Sequence, residues 1–138
     1  MWPYFQGSTC LPTYDSYKPC TIGGYPEWVV NASTPAHVQT TIKFAQTHNL
    51  RLVIKNTGHD FIGKSAGWGA LSVWTHYFKD ITFIPNYSAD GYSGPAFKSG
   101  SGVQAGELYA AAKQHNVTVV GGEGEVSSAF AAEDITSN

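Results

Sequence analysis

Residues 28–54, WVVNASTPAHVQTTIKFAQTHNLRLVI, decide the fold class. Trp28-Val29-Val30 is a short apolar strand candidate. Ser33-Thr34-Pro35 then supplies an N-cap and a proline in the first helical turn, where a missing N–H does no harm. Val38, Ile42 and Ala45 recur at helical spacing with Phe44 on the flank, and Asn49 stops the helix. Leu50-Arg51-Leu52-Val53-Ile54 follows as a strand. A helix between two short apolar strands within about thirty residues is a βαβ-like unit.

The pattern returns further along. Phe97-Lys98-Ser99 leads through Gly100-Ser101-Gly102 into a helix bearing Val103, Leu108, Ala111 and Ala112. That helix ends at His115-Asn116, before a strand Val117-Thr118-Val119-Val120. Val38-Gln39 and His48-Asn49 are echoed by Val103-Gln104 and His115-Asn116, as two helix-then-strand units in one α/β layer would require. Between them lie the strand Ala70–Trp74 and a second strand around Ile81–Ile84. Residues 1–26 carry four prolines and little periodicity, and read as an irregular arm. The expected organisation is that arm, an α/β (α+β) body over 27–123, and a small, polar tail over 124–138.

The chain has 138 residues, the size of one ordinary domain. At 42% hydrophobic and 13% charged it is far from the disordered regime. Eight scattered basic residues and a net charge of −2 form no stripe for a nucleic-acid backbone. No apolar run is long enough for a membrane-spanning helix. Met1-Trp2-Pro3-Tyr4 has neither the basic nor the apolar region of a secretory signal. Cys10 and Cys20 lack the spacing and the nearby histidine of a zinc site, and no metal is expected. They are either a disulfide, worth roughly 2.5–3 kcal/mol on the loop-entropy model, or two buried thiols. Three N-x-S/T sequons, at Asn31, Asn86 and Asn116, favour the disulfide and a glycosylated, secretory-pathway protein whose signal peptide is not in this sequence.

Lys55-Asn56-Thr57-Gly58-His59-Asp60-Phe61-Ile62-Gly63-Lys64-Ser65 follows the strand that ends at Ile54. Ligands of open α/β sheets gather beyond the carboxyl ends of strands, so this loop is the candidate site. Gly58-x4-Gly63-Lys64-Ser65 satisfies the P-loop pattern. A P-loop also needs a helix starting at Lys64-Ser65 to face the phosphates, and Gly67 and Gly69 oppose one. No strand ending in a Walker-B aspartate accompanies it either.

Asn56-Thr57-Gly58-His59-Asp60-Phe61-x-Gly63-x-Ser65, followed by Leu71-Ser72-x-Trp74-Thr75-His76, resembles the flavin loop of fungal berberine-bridge-type oxidases. These belong to the vanillyl-alcohol-oxidase (VAO)/PCMH superfamily of FAD-linked oxidoreductases. The likeness takes in Trp2-Pro3-Tyr4-Phe5-Gln6, Lys18-Pro19-Cys20-Thr21 and Ile42-Lys43-Phe44-Ala45. It continues through Arg51–Lys55 and Gly102-Val103-Gln104 to Val119-Val120-Gly121-Gly122-Glu123. The resemblance implies the N-terminal portion of a PCMH-type FAD-binding domain. It implies FAD bonded covalently at its 8α-methyl to His59, with Asn56, Thr57, Gly58, Asp60, Phe61, Gly63 and Ser65 as the cofactor-binding loop. A residue without a side chain at Gly58 lets the backbone approach the diphosphate closely or adopt positive φ. It implies hydride transfer from a small-molecule alcohol or similar C–H donor to flavin N5, with O2 as acceptor.

The chain departs from the family at Gly124, which stands where bicovalent members carry a second attachment cysteine, so that link is absent. The rest of the FAD-binding domain, the substrate domain and the downstream catalytic base have no counterpart here. The expectation is therefore a truncated form without turnover of its own. The rival reading is a non-catalytic secreted α/β domain using the same scaffold for binding. His37, His48, His76 and His115 are expected in helices or at their ends, as surface or capping residues. Trp68, Trp74 and the tyrosines are expected to line a flavin slot or pack the core.

Overall fold

The computed structural model describes Gly7, Asp15, residues 17–121 and Gly124. Cys10, most of the arm, Gly122-Glu123 and tail residues 125–138 lie outside the described residues. The chain divides into two compact units, 1–75 and 76–138. Among the described residues are five strands and two helices, the mixed α/β class expected.

In the first unit, β1 (Trp28–Asn31), α1 (Pro35–Thr47), β2 (Leu52–Lys55) and β3 (Leu71–Trp74) follow in chain order. The sheet is parallel, in the order β1-β3-β2. Thr34 caps α1: its side chain accepts the His37 N–H at 3.3 Å, with Pro35 just inside the helix. The helix closes at His48, and Asn49 takes φ 49°, where asparagine is tolerated. Thr41 and Ala45 are the buried residues of α1, whereas Ile42 and Phe44 are exposed. The buried stripe is thus rotated from the expected Val38-Ile42-Ala45 face. A polar residue fits there because the Thr41 hydroxyl donates to the His37 carbonyl at 2.7 Å.

Residues on neighbouring parallel strands stand in register, so Asn31, Trp74 and Lys55 form one row at the carboxyl ends. Such strands need a crossover, and β1 reaches β2 through α1. The crossover from β2 to β3 contains no helix: residues 56–70 run as turns and irregular chain. This is the loop singled out from sequence, and its turns at Phe61–Ser65 take the place of the helix that a P-loop would need.

In the second unit, β4 (Ile81–Ala89) and β5 (Tyr92–Ser99) form an antiparallel hairpin, followed by α2 (Ala105–Gln114). Asp90 and Gly91 make its two-residue turn, both at positive φ (51° and 82°), which matches the twist of the strands. Register slips between Ile84 and Tyr87, so Pro85 and Asn86 oppose Pro95 in a bulge. A proline, lacking its N–H, suits such a break in the ladder. Ala105, Leu108 and Ala112 form the buried stripe of α2. Leu108 and Val103 are almost fully enclosed, with Ile81, Phe97 and Val119 packed around them. The Glu107 carboxylate reaches back to the Gln104 N–H at 2.7 Å and to Lys79 at 2.6 Å. Burial pushes that carboxyl up, but the Gln104 N–H, Lys79 and His76 outweigh it and hold it below its ordinary value.

Three expectations are corrected. Val117–Val120 forms no strand: among the described residues β4 and β5 pair with each other and no strand pairs with this run, and an apolar β-branched run does not become a strand without a ladder partner. His76 lies in a turn after β3 rather than at a helix end. Val103 precedes α2 instead of lying within it. Leu108→Ala should remove the centre of the second unit's core and destabilise it by about 2–5 kcal/mol. Urea unfolding should show this as a lower midpoint with an unchanged slope.

Candidate functional site

The Asn31-Trp74-Lys55 row forms the floor from which the 56–65 loop departs. Trp74 is half-buried, and its indole N–H donates to the Asn56 carbonyl at 2.9 Å. The Thr75 N–H donates to the Lys55 carbonyl at 2.9 Å. These two bonds tie the start of the loop to the end of β3. Trp74 therefore buckles the loop to the end of its own strand.

The Lys55 side chain lies along the same floor. Its Nζ sits 5.2 Å from the Trp74 ring centroid and 3.5 Å from the Asn56 carbonyl oxygen. Gly58 has φ 91°, and a Cβ there would lie 2.9 Å from Lys55 Cε. Glycine at this position both permits the left-handed backbone and lets the lysine stem lie against the loop. Burial pushes the Lys55 ammonium below its ordinary value of 10.5.

Beyond Gly58 the loop is held from within. Asp60 is 7% exposed, and its carboxylate accepts the Lys64 N–H. Gly63 has φ 84°, and its carbonyl accepts the Ala66 N–H at 3.2 Å. Among the described residues, no acceptor is bonded to the N–H groups of Gly58, His59, Phe61, Ile62 or Gly63. Ser65 is 5% exposed, and its Oγ has no hydrogen-bond partner among the described residues. A buried hydroxyl without a partner is unfavourable in a protein alone and suits a polar ligand. His59 is exposed, and its ring makes no hydrogen bond or ring contact with a described residue. Phe61 and Ile62 project into solvent at 67% and 61% exposure.

The structure thus brings Asn56, Gly58, Asp60, Gly63 and Ser65 into one loop framework, with Thr57 half-buried and His59 and Phe61 on its outside. Lys55 and Trp74, which lie in the motif but outside its expected cofactor-binding set, also belong to that framework. The available signal was their place as last residues of adjacent parallel strands. Trp68 is exposed, outside any core. Among the described residues, no three His, Cys, Asp or Glu side chains gather as metal ligands, and no helix is long and apolar enough to cross a membrane.

Left-handed glycines, backbone N–H groups without an acceptor among the described residues and an exposed imidazole thus share one loop beyond a parallel strand, an arrangement that can accept an anion. A family model described as an FAD binding domain matches residues 26–132. The chain belongs to this FAD-binding family, within the VAO/PCMH superfamily. The VAO-type flavoprotein oxidase VAO615 of Thermothelomyces thermophilus is 52% identical over 118 residues, covering 86% of this chain and 21% of that protein. An FAD-linked oxidoreductase of Neocamarosporium betae is 47% identical over 123 residues, covering 89% of this chain and 21% of that protein. The crystal structure of the VAO-type flavoprotein MtVAO615 from Myceliophthora thermophila superposes with a TM-score of 0.85 at 50% identity. That match covers 91% of this chain and 23% of the other. The chain therefore spans about a fifth of the length of these relatives, and it carries the N-terminal part of such a domain.

Two predictions follow from the loop. Gly58→Ala should force a side chain into the left-handed region and destabilise the first unit by about 1–2 kcal/mol, read as a lower thermal midpoint. Lys55 holds its proton less tightly folded than unfolded, so stability should rise with pH between its lowered folded value and the ordinary 10.5. Lys55→Met should remove that rise, as thermal midpoints measured across the window would show.

Proposed function

We propose that this chain is the flavin-attaching part of a berberine-bridge-like FAD-linked oxidase, with His59 as the covalent anchor. The observation that carries this reading is the 56–65 loop itself. It leaves the carboxyl edge of a parallel sheet with Gly58 in the left-handed region and presents His59 to solvent. The relatives named as flavoprotein oxidase and FAD-linked oxidoreductase support the same reading.

In this proposal the backbone N–H groups from Gly58 to Gly63 hold the diphosphate, and the Ser65 hydroxyl gains a partner. Asn56 and Thr57 orient the strand exit, Asp60 braces the turn from inside, and Phe61 gives an apolar face to the ring system. His59 keeps the cofactor from dissociating. When bound, FAD supplies two-electron chemistry, accepting hydride at N5 from a small-molecule alcohol or similar C–H donor and passing the electrons to O2. We also assign the chain to the secretory pathway. Asn31, Asn86 and Asn116 are all exposed, and no described cysteine is a free thiol, in keeping with a Cys10–Cys20 bond.

Protein produced with FAD should stay yellow after acid precipitation. His59→Ala should lose that acid-stable flavin while its circular dichroism is unchanged. Acid-stable flavin in the His59→Ala protein would refute the anchor, and a folded, colourless product indifferent to FAD would favour a non-catalytic binding domain. Secretion from a fungal host should add N-glycans, seen as a mass decrease on endoglycosidase treatment.

A further inference from the structure

We propose that Lys55 is a further cofactor-binding residue, its ammonium being the counter-charge for the diphosphate of FAD held by the Gly58 loop. This inference rests on the flavin-loop reading above.

Lysine has a flexible four-carbon stem that normally carries its charge out to water. Lys55 instead keeps its ammonium at the floor of the loop, over the Trp74 ring at 5.2 Å and 3.5 Å from the Asn56 carbonyl. Both contacts are weak for a full charge. The ion pair found among the described residues is Lys79–Glu107, so Lys55 has no carboxylate partner among them. The missing side chain at Gly58 leaves the room in which the lysine stem lies against the loop backbone.

The charge around the loop points the same way. The Asp60 carboxylate is buried within the turn, and the chain as a whole carries −2. A diphosphate approaching that carboxylate is repelled unless a fixed cation lies close by. Lys64 is the other cation of the loop, but it is exposed and so screened by salt. Lys55 is half-buried, ends a strand of the sheet and is placed before the ligand arrives. Its burial lowers its affinity for a proton, an unfavourable placement that a bound anion reverses.

The test measures FAD, ADP and riboflavin binding to the full chain over a range of salt concentrations, in a His59→Ala background that keeps binding reversible. Lys55→Met should weaken FAD and ADP by about ten-fold, the scale of one charge-assisted hydrogen bond. It should also flatten the salt dependence and leave riboflavin, which has no diphosphate, unchanged. Lys55→Arg should retain most of the affinity, and Lys64→Met should have little effect. Equal loss for riboflavin would mark Lys55 as merely structural and overturn the proposal. Unchanged FAD affinity in Lys55→Met, or a loss confined to Lys64→Met, would overturn it too. A parent protein that binds no FAD would refute the flavin-loop reading itself, and this inference with it.

Discussion

The first unit depends on β3 being hydrogen-bonded in parallel on both sides. Its register with β1 and β2 places Asn31, Trp74 and Lys55 in one row. From that row Trp74 donates to the Asn56 carbonyl and Thr75 to the Lys55 carbonyl. The path of the next residues follows from those bonds. A one-residue slip would turn Trp74 and Lys55 to the opposite face and release the loop from its floor.

Within the loop, backbone freedom and polar bracing act together. Gly58 and Gly63 both adopt left-handed φ, while the Asp60 carboxylate holds the turn through the Lys64 N–H. His59 is left outside this framework with an exposed ring. A loop fixed from beneath and open above is pre-organised, so less entropy is lost when a ligand is held. The matched segments make up 21% of these relatives, and the reading of the site concerns the cofactor rather than the substrate.

Much of this was legible in the sequence because the signals were local. Thr34-Pro35 marks a helix start chemically, and short apolar runs mark β1, β2 and β3. Long-range consequences were not legible. The strand order with β3 at the centre, and hence the Trp74–Asn56 bond, depends on which strands pair, and periodicity carries no such information. The hairpin is only half legible: the apolar run Ile81–Ile84 marks β4, whereas β5 depends on the Asp90-Gly91 turn and on pairing across it. Val117–Val120 shows the converse: its β propensity is strong, but among the described residues no strand lies beside it to pair with. The Thr41 stripe of α1 was hidden because a hydroxyl bonded to its own helix backbone behaves as a buried residue despite its polarity.

The strand order also shapes how the polypeptide organises as it leaves the ribosome. β1 and β2 emerge first, but among the described residues the strand that each bonds is β3, the last of the three to be made. Until Trp74 clears the exit tunnel, two nascent segments carrying Trp28, Val29 and Ile54 have no ladder to join. Those side chains remain exposed even in the finished sheet, at 73%, 53% and 61%. Translation speed across residues 56–74 therefore sets how long sticky, unpaired backbone is open to chaperones or to aggregation.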